Sequence, residues 1–229
     1  EILSGLVGSE MCIRDSDQWF VYADGQRSMR APQVTQIIFG NNLDAELAWN
    51  YELGTRYQPN ERTRIQVGAY LIDFDQQIQL DNTTRVFRNL GKTRHQGGEL
   101  ELQWSPEQLR ALTLNAGYAY LDARQESGAF DGLRVPYTSR NQITLGGTYA
   151  LGHTTVALSS YYFSKAYSDA ANTVHENAIA SVGELPSYWV WNTQVSHTLL
   201  ERGGQKLSAS LAINNLFDRQ YWFLSLIHI

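Results

Sequence analysis

Residues 89–104 read NLGKTRHQGGELELQW. The second half of the stretch alternates: Leu100, Leu102 and Trp104 fall on one side, Glu99, Glu101 and Gln103 on the other. That two-residue period is a β-strand with one apolar and one polar face. The first half crowds Lys92, Arg94 and His95 beside Gly91, Gly97 and Gly98. A carboxylate row opposite a leucine–tryptophan row needs oil on one side and water on the other. A soluble sheet packed on a core supplies that environment, and so does the wall of a transmembrane barrel.

The bulk properties leave both candidates standing. In 229 residues, 18% are charged and 12% aromatic, with 13 Tyr and 6 Trp. The mean hydropathy of −0.35 is too polar for a helical membrane protein, and no long apolar run is present. Membrane barrels pass that test unseen, because only alternate residues meet lipid. A formal charge of −5 without a basic stripe argues against a nucleic-acid partner. A single cysteine, Cys12, excludes an internal disulfide framework and a cysteine-rich zinc site.

The same alternation recurs along the chain. Strands are expected at Gln18–Ala23, Leu47–Tyr57, Thr63–Gln77 (with a bulge near Tyr70), the quoted stretch, Leu112–Asp122, Ser139–Leu151, Thr155–Ser164, Tyr188–Leu199 and Leu207–Phe217. Segments 25–46, 81–86, 125–136 and 166–186 read as loops. No helical segment intervenes. The connections alternate in length, so one end of the meander carries tight hairpins and the other large loops. Outer-membrane barrels do this, with short periplasmic turns and longer extracellular loops; soluble sandwiches show no such parity. Tyr120, Tyr162, Trp189 and Trp191 gather toward the long-loop ends and Tyr57, Trp104 and Tyr149 toward the short-turn ends, as two aromatic girdles would. The fold expected is all-β, an antiparallel transmembrane β-barrel.

The ends stand apart. Residues 1–16 (EILSGLVGSEMCIRDS) show neither alternation nor a helical stripe and lack the basic start of a signal peptide. They and residues 224–229 read as non-native tails of the sequencing-adapter type, leaving 17–223 as partial barrel. The last expected strand runs toward the long-loop end with no strand to return, so the chain reads as a fragment.

Four motifs carry a resemblance to TonB-dependent outer-membrane receptors. They are YADGQRSMRAP (Tyr22–Pro32), WNYELGTRY (Trp49–Tyr57), Asn89–Glu101 as N-x-G-K-x-x-x-x-G-x-E-x-E, and NNLFDRQY (Asn214–Tyr221). The part from Val135 to Asn192 is most similar to the ferric-dicitrate and related siderophore branch. The resemblance implies a plugged barrel of about 22 strands, of which about nine are here, without the plug, the TonB box or the last strand. It implies a Gram-negative outer-membrane receptor that binds a ferric siderophore and imports it with energy from the TonB complex, surrounded by outer-membrane lipid and lipopolysaccharide. Iron would arrive as a chelated substrate, and no cofactor is expected.

Iron chelates of this kind are anionic, and arginine holds carboxylates with paired charge-assisted hydrogen bonds. Arg85, Arg88, Arg124, Arg134 and Arg140 lie in or beside the expected outer loops, and Tyr137, Tyr167 and His175 could line the same mouth. The alternative is that these arginines pair with Asp81, Asp122, Glu126 and Asp131 or with lipopolysaccharide phosphates, and that the aromatics pack. Glu52, Glu99 and Glu101 form a lumen row that would meet lumen arginines or the plug. Ser159, Ser160 and His153 do not have the spacing of a catalytic set, and His153, His175 and His197 do not have that of metal ligands. The competing functions are a passive porin-like or structural barrel and a soluble carbohydrate-binding β-domain.

Overall fold

The alternating segments pair into one ten-stranded antiparallel sheet in a computed structural model that describes residues 4–14, 16, 18–39, 42–81, 84–179 and 181–221. In chain order the elements are β1 (Ser4–Arg14), β2 (Trp19–Arg30), the short helix α1 (Val34–Ile38), β3 (Glu46–Asn60) and β4 (Thr63–Asp75). Then come β5 (Ile78–Asp81), β6 (Val86–Asn89), β7 (Thr93–Trp104), β8 (Leu112–Gln125) and β9 (Asn141–Leu151). The chain continues through β10 (Thr154–Phe163), β11 (Ala166–Tyr167), β12 (Glu184–Leu185), β13 (Tyr188–Arg202) and β14 (Gln205–Ile213). Neighbours in the sheet are neighbours in sequence, except that the hairpins β5–β6 and β11–β12 are set into the β4–β7 and β10–β13 connections. The meander is a partial barrel wall.

Short connections at 61–62, 105–111, 152–153 and 203–204 all fall at one end of the sheet, and those at 31–45, 76–92, 126–140 and 164–187 at the other. The expected parity is therefore present. Several boundaries differ. β2 runs on to Arg30 through residues expected to be loop, because each of its positions finds a partner on β3, from Trp19↔Tyr57 to Arg30↔Glu46. The 31–45 connection holds a one-turn helix, closed at its start by a reciprocal Gln33–Gln36 capping box. Asp81 and Val86, the ends of a stretch expected to be open loop, pair with each other in the β5–β6 hairpin. β14 ends at Ile213, where Asn215 and Asp218 take left-handed backbone (φ 53 and 47) and turn the chain.

Residues 4–14, set aside in the sequence reading, pair with β2 in unbroken register from Ser4↔Arg30 to Arg14↔Phe20. The free edge of β2 offers a row of backbone N–H and C=O groups, and a proline-free segment satisfies them whatever its side-chain pattern. The segment 224–229 lies outside the described residues.

Register sorts the side chains into two faces. One carries Trp19, Tyr51, Leu53, Val67, Leu100, Leu102, Trp104, Tyr118, Leu145, Leu158, Trp189, Val195 and Leu211, all exposed. The other carries Tyr22, Glu52, Gln66, Glu99, Glu101, Asn115, Thr144 and Gln194. An apolar face of that extent is not left in water; in a bilayer it is the lipid face. Trp19 stacks on Tyr57 at 4.3 Å near the short-turn end, and Trp49 stacks on Tyr51 and Trp189 on Trp191 toward the long-loop end. Tyr57 and Trp49 lie eight residues apart on β3. That is about 27 Å along a strand and about 20 Å across the bilayer at a tilt of about 40°.

Candidate functional site: the long-loop end

Above the apolar band the two faces exchange character. Ile72 and Phe74 sit in the inner phase, Phe74 edge-on to His95 at 5.1 Å. Ala123, Thr93 and Gln125, also inner, are almost fully buried. In the outer phase stand Asp73, Arg94, Asp122 and Arg124. The cause is the loops, which fold in over the inner face and leave the outer face to solvent. This exchange removes the need for the bulge expected near Tyr70: β4 pairs without a shift from Leu47↔Asp75 to Tyr57↔Ile65, and the irregularity lies between Tyr57 and Asn60.

The covering loops are tied together by side chains. Gln125 donates from Nε2 to the carbonyls of Arg134 (3.3 Å) and Ala170 (2.8 Å). Asn172 makes a reciprocal amide pair with Arg134: its Oδ1 accepts from the backbone N–H (2.8 Å) and its Nδ2 donates to the carbonyl (2.9 Å). Asp169 caps the same turn, accepting from the Thr173 hydroxyl (2.9 Å) and from the N–H groups of Ala171 and Thr173. The Tyr137 N–H donates to the Tyr167 carbonyl at 2.7 Å. The 126–140 and 164–187 segments thus act as one body.

Between that body and the β5–β6 hairpin lies a cavity of about 260 Å³, whose walls include Gln79, Asp81, Arg88, Phe130, Pro136 and Asp169. Arg88 is ion-paired with Asp81 inside it. Arg85 occupies the hairpin turn in left-handed backbone (φ 59). Tyr137, also left-handed (φ 61), stands beside it. Burial, and after it the charge of Asp169, pushes the Tyr137 phenol up to about 12, while Arg85 opposes the shift. The phenol is a neutral donor at any ordinary pH. Arg134 lies 6.0 Å from the centre of the Tyr167 ring and donates to the Thr138 carbonyl at 3.0 Å. Burial, then the neighbouring Arg140, holds its guanidinium below the usual arginine range.

Of the eight residues proposed from sequence, Arg88 lines this cavity; Arg85, Tyr137 and Tyr167 each follow or precede a lining residue (Thr84, Pro136 and Ser168), and Arg134 packs against Tyr167. Arg124 and Arg140 converge on Asp122, at 2.9 and 3.0 Å, on the outer-phase side. His175 is exposed and does not line the cavity. Gln125, Asp169 and Asn172 were missed; the D-x-x-N spacing of Asp169 and Asn172, a turn signature, was the available signal. Lower on the inner face, Glu52, Glu99 and Glu101 share a recess with Tyr22, whose hydroxyl donates to Glu52 at 2.7 Å. His153 lies in a short turn, whereas Ser159 and Ser160 lie well along β10. Among the described residues no group of His, Cys, Asp and Glu has the arrangement of a metal site.

Residues 14–216 match the family model described as TonB dependent receptor-like, beta-barrel. The chain belongs to the TonB-dependent receptor β-barrel family. Its relatives include the ferrioxamine B receptor of Salmonella typhimurium, 28% identical over 191 residues that make up 80% of this chain and 26% of the relative. The pesticin receptor of Yersinia pestis is 25% identical over 216 residues, 90% of this chain and 30% of the relative. The fold superposes on the unliganded ferric citrate transporter FecA with a TM-score of 0.79 and 29% identity, covering 95% of this chain and 34% of that one. The chain thus spans about a quarter to a third of the length of these relatives. The TonB-dependent receptors are transporters and receptors of the Gram-negative outer membrane, and the chain is assigned there with them.

Proposed function

We propose that this chain is the loop-bearing part of a receptor that binds an extracellular ferric chelate, of the ferric citrate or siderophore class, and passes it inward with TonB-derived energy. The observation that supports it most is the mouth cavity: three long connections converge over the inner face of a family barrel with Arg88 in the cavity wall, and Arg85 lies close to the neutral Tyr137, which follows the lining residue Pro136. Arginines beside a phenol donor suit the carboxylates and hydroxamates that wrap ferric iron. Asp81 holds Arg88 in place until an anionic ligand competes for it. Arg134, packed on Tyr167, stiffens the wall. The iron is cargo, and the role is binding and transport without catalysis. The acidic recess of Glu52, Glu99 and Glu101 faces the lumen, where a basic plug surface would complement it.

The test uses the full-length receptor that carries this chain, titrated with ferric citrate and with ferrioxamine B by fluorescence quenching. Arg85→Gln with Arg88→Gln should weaken the favoured chelate by about 10- to 100-fold, the worth of hydrogen bonds to charged groups. Unchanged affinity for both chelates, in wild type and variant alike, would overturn the proposal.

A further inference from the structure

The mouth cavity is small, and its lining has two characters. Its volume of about 260 Å³ falls below the roughly 300–1,000 Å³ of sites that enclose a whole drug-sized ligand. A ferric chelate is at least as large as such a ligand, so the cavity receives one arm of it. Leu80, Leu90, Phe130 and Pro136 supply apolar wall. Against that wall an aliphatic stem packs, as the stem of a lysine does on a protein surface.

The charged groups in the lining do not cancel. Among the described residues that line the cavity they are Arg88, Asp81 and Asp169. Arg88 and Asp81 form an ion pair, and the same carboxylate accepts the Thr84 N–H at 3.2 Å. That pair is neutral as a unit. The Asp169 carboxylate is held by the N–H groups of Ala171 and Thr173 and by the Thr173 hydroxyl. All three donors are neutral, so they fix its oxygens without supplying a counter-charge. Arg85 stands outside the lining, and at the neighbouring Tyr137 phenol the charge of Asp169 outweighs that of Arg85. One negative charge is left over at the cavity wall.

We infer that the cavity admits a cationic arm of the chelate, an aliphatic stem ending in a protonated amine, with the ammonium against Asp169 and the stem on the apolar wall. The inference rests on the reading of the mouth as a chelate site and adds which chelates it favours. A primary amine of this kind titrates near about 10.4 and is charged at neutral pH. An ammonium donates three hydrogen bonds and accepts none, which matches a lining whose surplus group is a carboxylate. A carboxylate arm would have to displace Asp81 from Arg88 and would then meet Asp169 as a like charge.

The experiment titrates the full-length receptor, by fluorescence quenching, with two forms of one probe. The first is a linear ferric trihydroxamate whose chain ends in a free primary amine; the second is the same chelate with that amine acetylated. The amine form should bind about 10-fold tighter, the worth of a hydrogen bond between charged groups. Asp169→Asn keeps a side-chain oxygen for the turn and removes the charge, and should bring the two forms level by weakening the amine form. Thr84→Lys leaves that turn untouched and sets a competing ammonium in the lining from an exposed hairpin position; it should level them too. Each variant is read as a ratio of two chelates on the same preparation, so a loss of folded protein does not imitate the effect. Equal affinity of the two forms for the wild type, tighter binding of the acetylated form, or a ratio unchanged in both variants would overturn the inference while leaving the mouth a chelate site. Binding of neither form, nor of ferric citrate, would overturn both.

Discussion

Gln125 shows how much a single side chain can organise at the mouth. Its side chain is almost fully buried and holds two carbonyls from two different connections. Gln125→Ala takes its donor from the Ala170 carbonyl, while the Arg134 carbonyl keeps Asn172 Nδ2, and the loss costs about 1–3 kcal/mol. Urea unfolding of the full-length receptor should register that loss, and proteolysis should reach the 126–140 and 164–187 segments sooner. Tyr137 makes a pH prediction. Its phenol titrates at about 12 in the fold against 10.0 ordinarily, because burial disfavours the phenolate. A raised value means its contribution is complete below about 10 and is lost as pH climbs toward 12. Phenolate absorbance of Tyr137→Phe should lose one group from the alkaline end of the titration; an unchanged curve there would contradict the burial argument. At this scale the sequence was a partial guide. Arg85, Arg88, Arg134, Tyr137 and Tyr167 were named from residue type and loop position; of these Arg88 lines the cavity, and the others adjoin its lining residues or, for Arg134, pack on Tyr167. Gln125 gave no sign, since a glutamine at a loop boundary differs from a solvated one only by the loops that later cover it.

Among the elements, β7 depends on the absence of a side chain at Gly97. A Cβ there would lie 2.1 Å from the Tyr120 carbonyl oxygen and 2.6 Å from the Tyr70 hydroxyl. The first of these is backbone and cannot move aside without parting β7 from β8. Tyr70 and Gly97 are directly paired, so the tyrosine covers the glycine's gap. Gly97→Ala should therefore abolish heat-modifiable folding or lower stability by about 2 kcal/mol or more; normal assembly and stability would show that β7 and β8 are further apart than described. The strands themselves were legible because alternation is strict wherever lipid meets one face and water the other. It failed where that condition lapses. Ile72 and Phe74 suggested a bulge because loops bury the inner face near the mouth. Arg27 and Arg30 suggested a loop because the outer ends of β2 and β3 rise past the apolar band. β1 was invisible for a different reason: it is held by backbone pairing, which leaves no trace in side-chain pattern.

For the whole molecule, the parity of connections and the two aromatic girdles describe a wall with fixed orientation, turns inward to the periplasm and loops outward. Both features were readable from sequence, since loop lengths and aromatic spacing survive errors of a few residues in strand ends. The apolar face then sets the tolerance to charge. Leu100→Arg, midway down the band, should cost about 2–4 kcal/mol in folding into lipid vesicles, while Gln96→Arg, nearer the headgroups, should cost about 1 kcal/mol or less. Equal costs would deny that this face meets a bilayer. The most direct test of the account is surface labelling of intact cells. In the full-length receptor with Cys12→Ser, single cysteines at Ser127, Asp131 or Thr173 should react with a membrane-impermeant maleimide, and those at Arg62 or His153 should react only after the outer membrane is opened. Labelling of the Arg62 and His153 positions on intact cells, with the loop positions protected, would invert the barrel and remove the mouth from the outside.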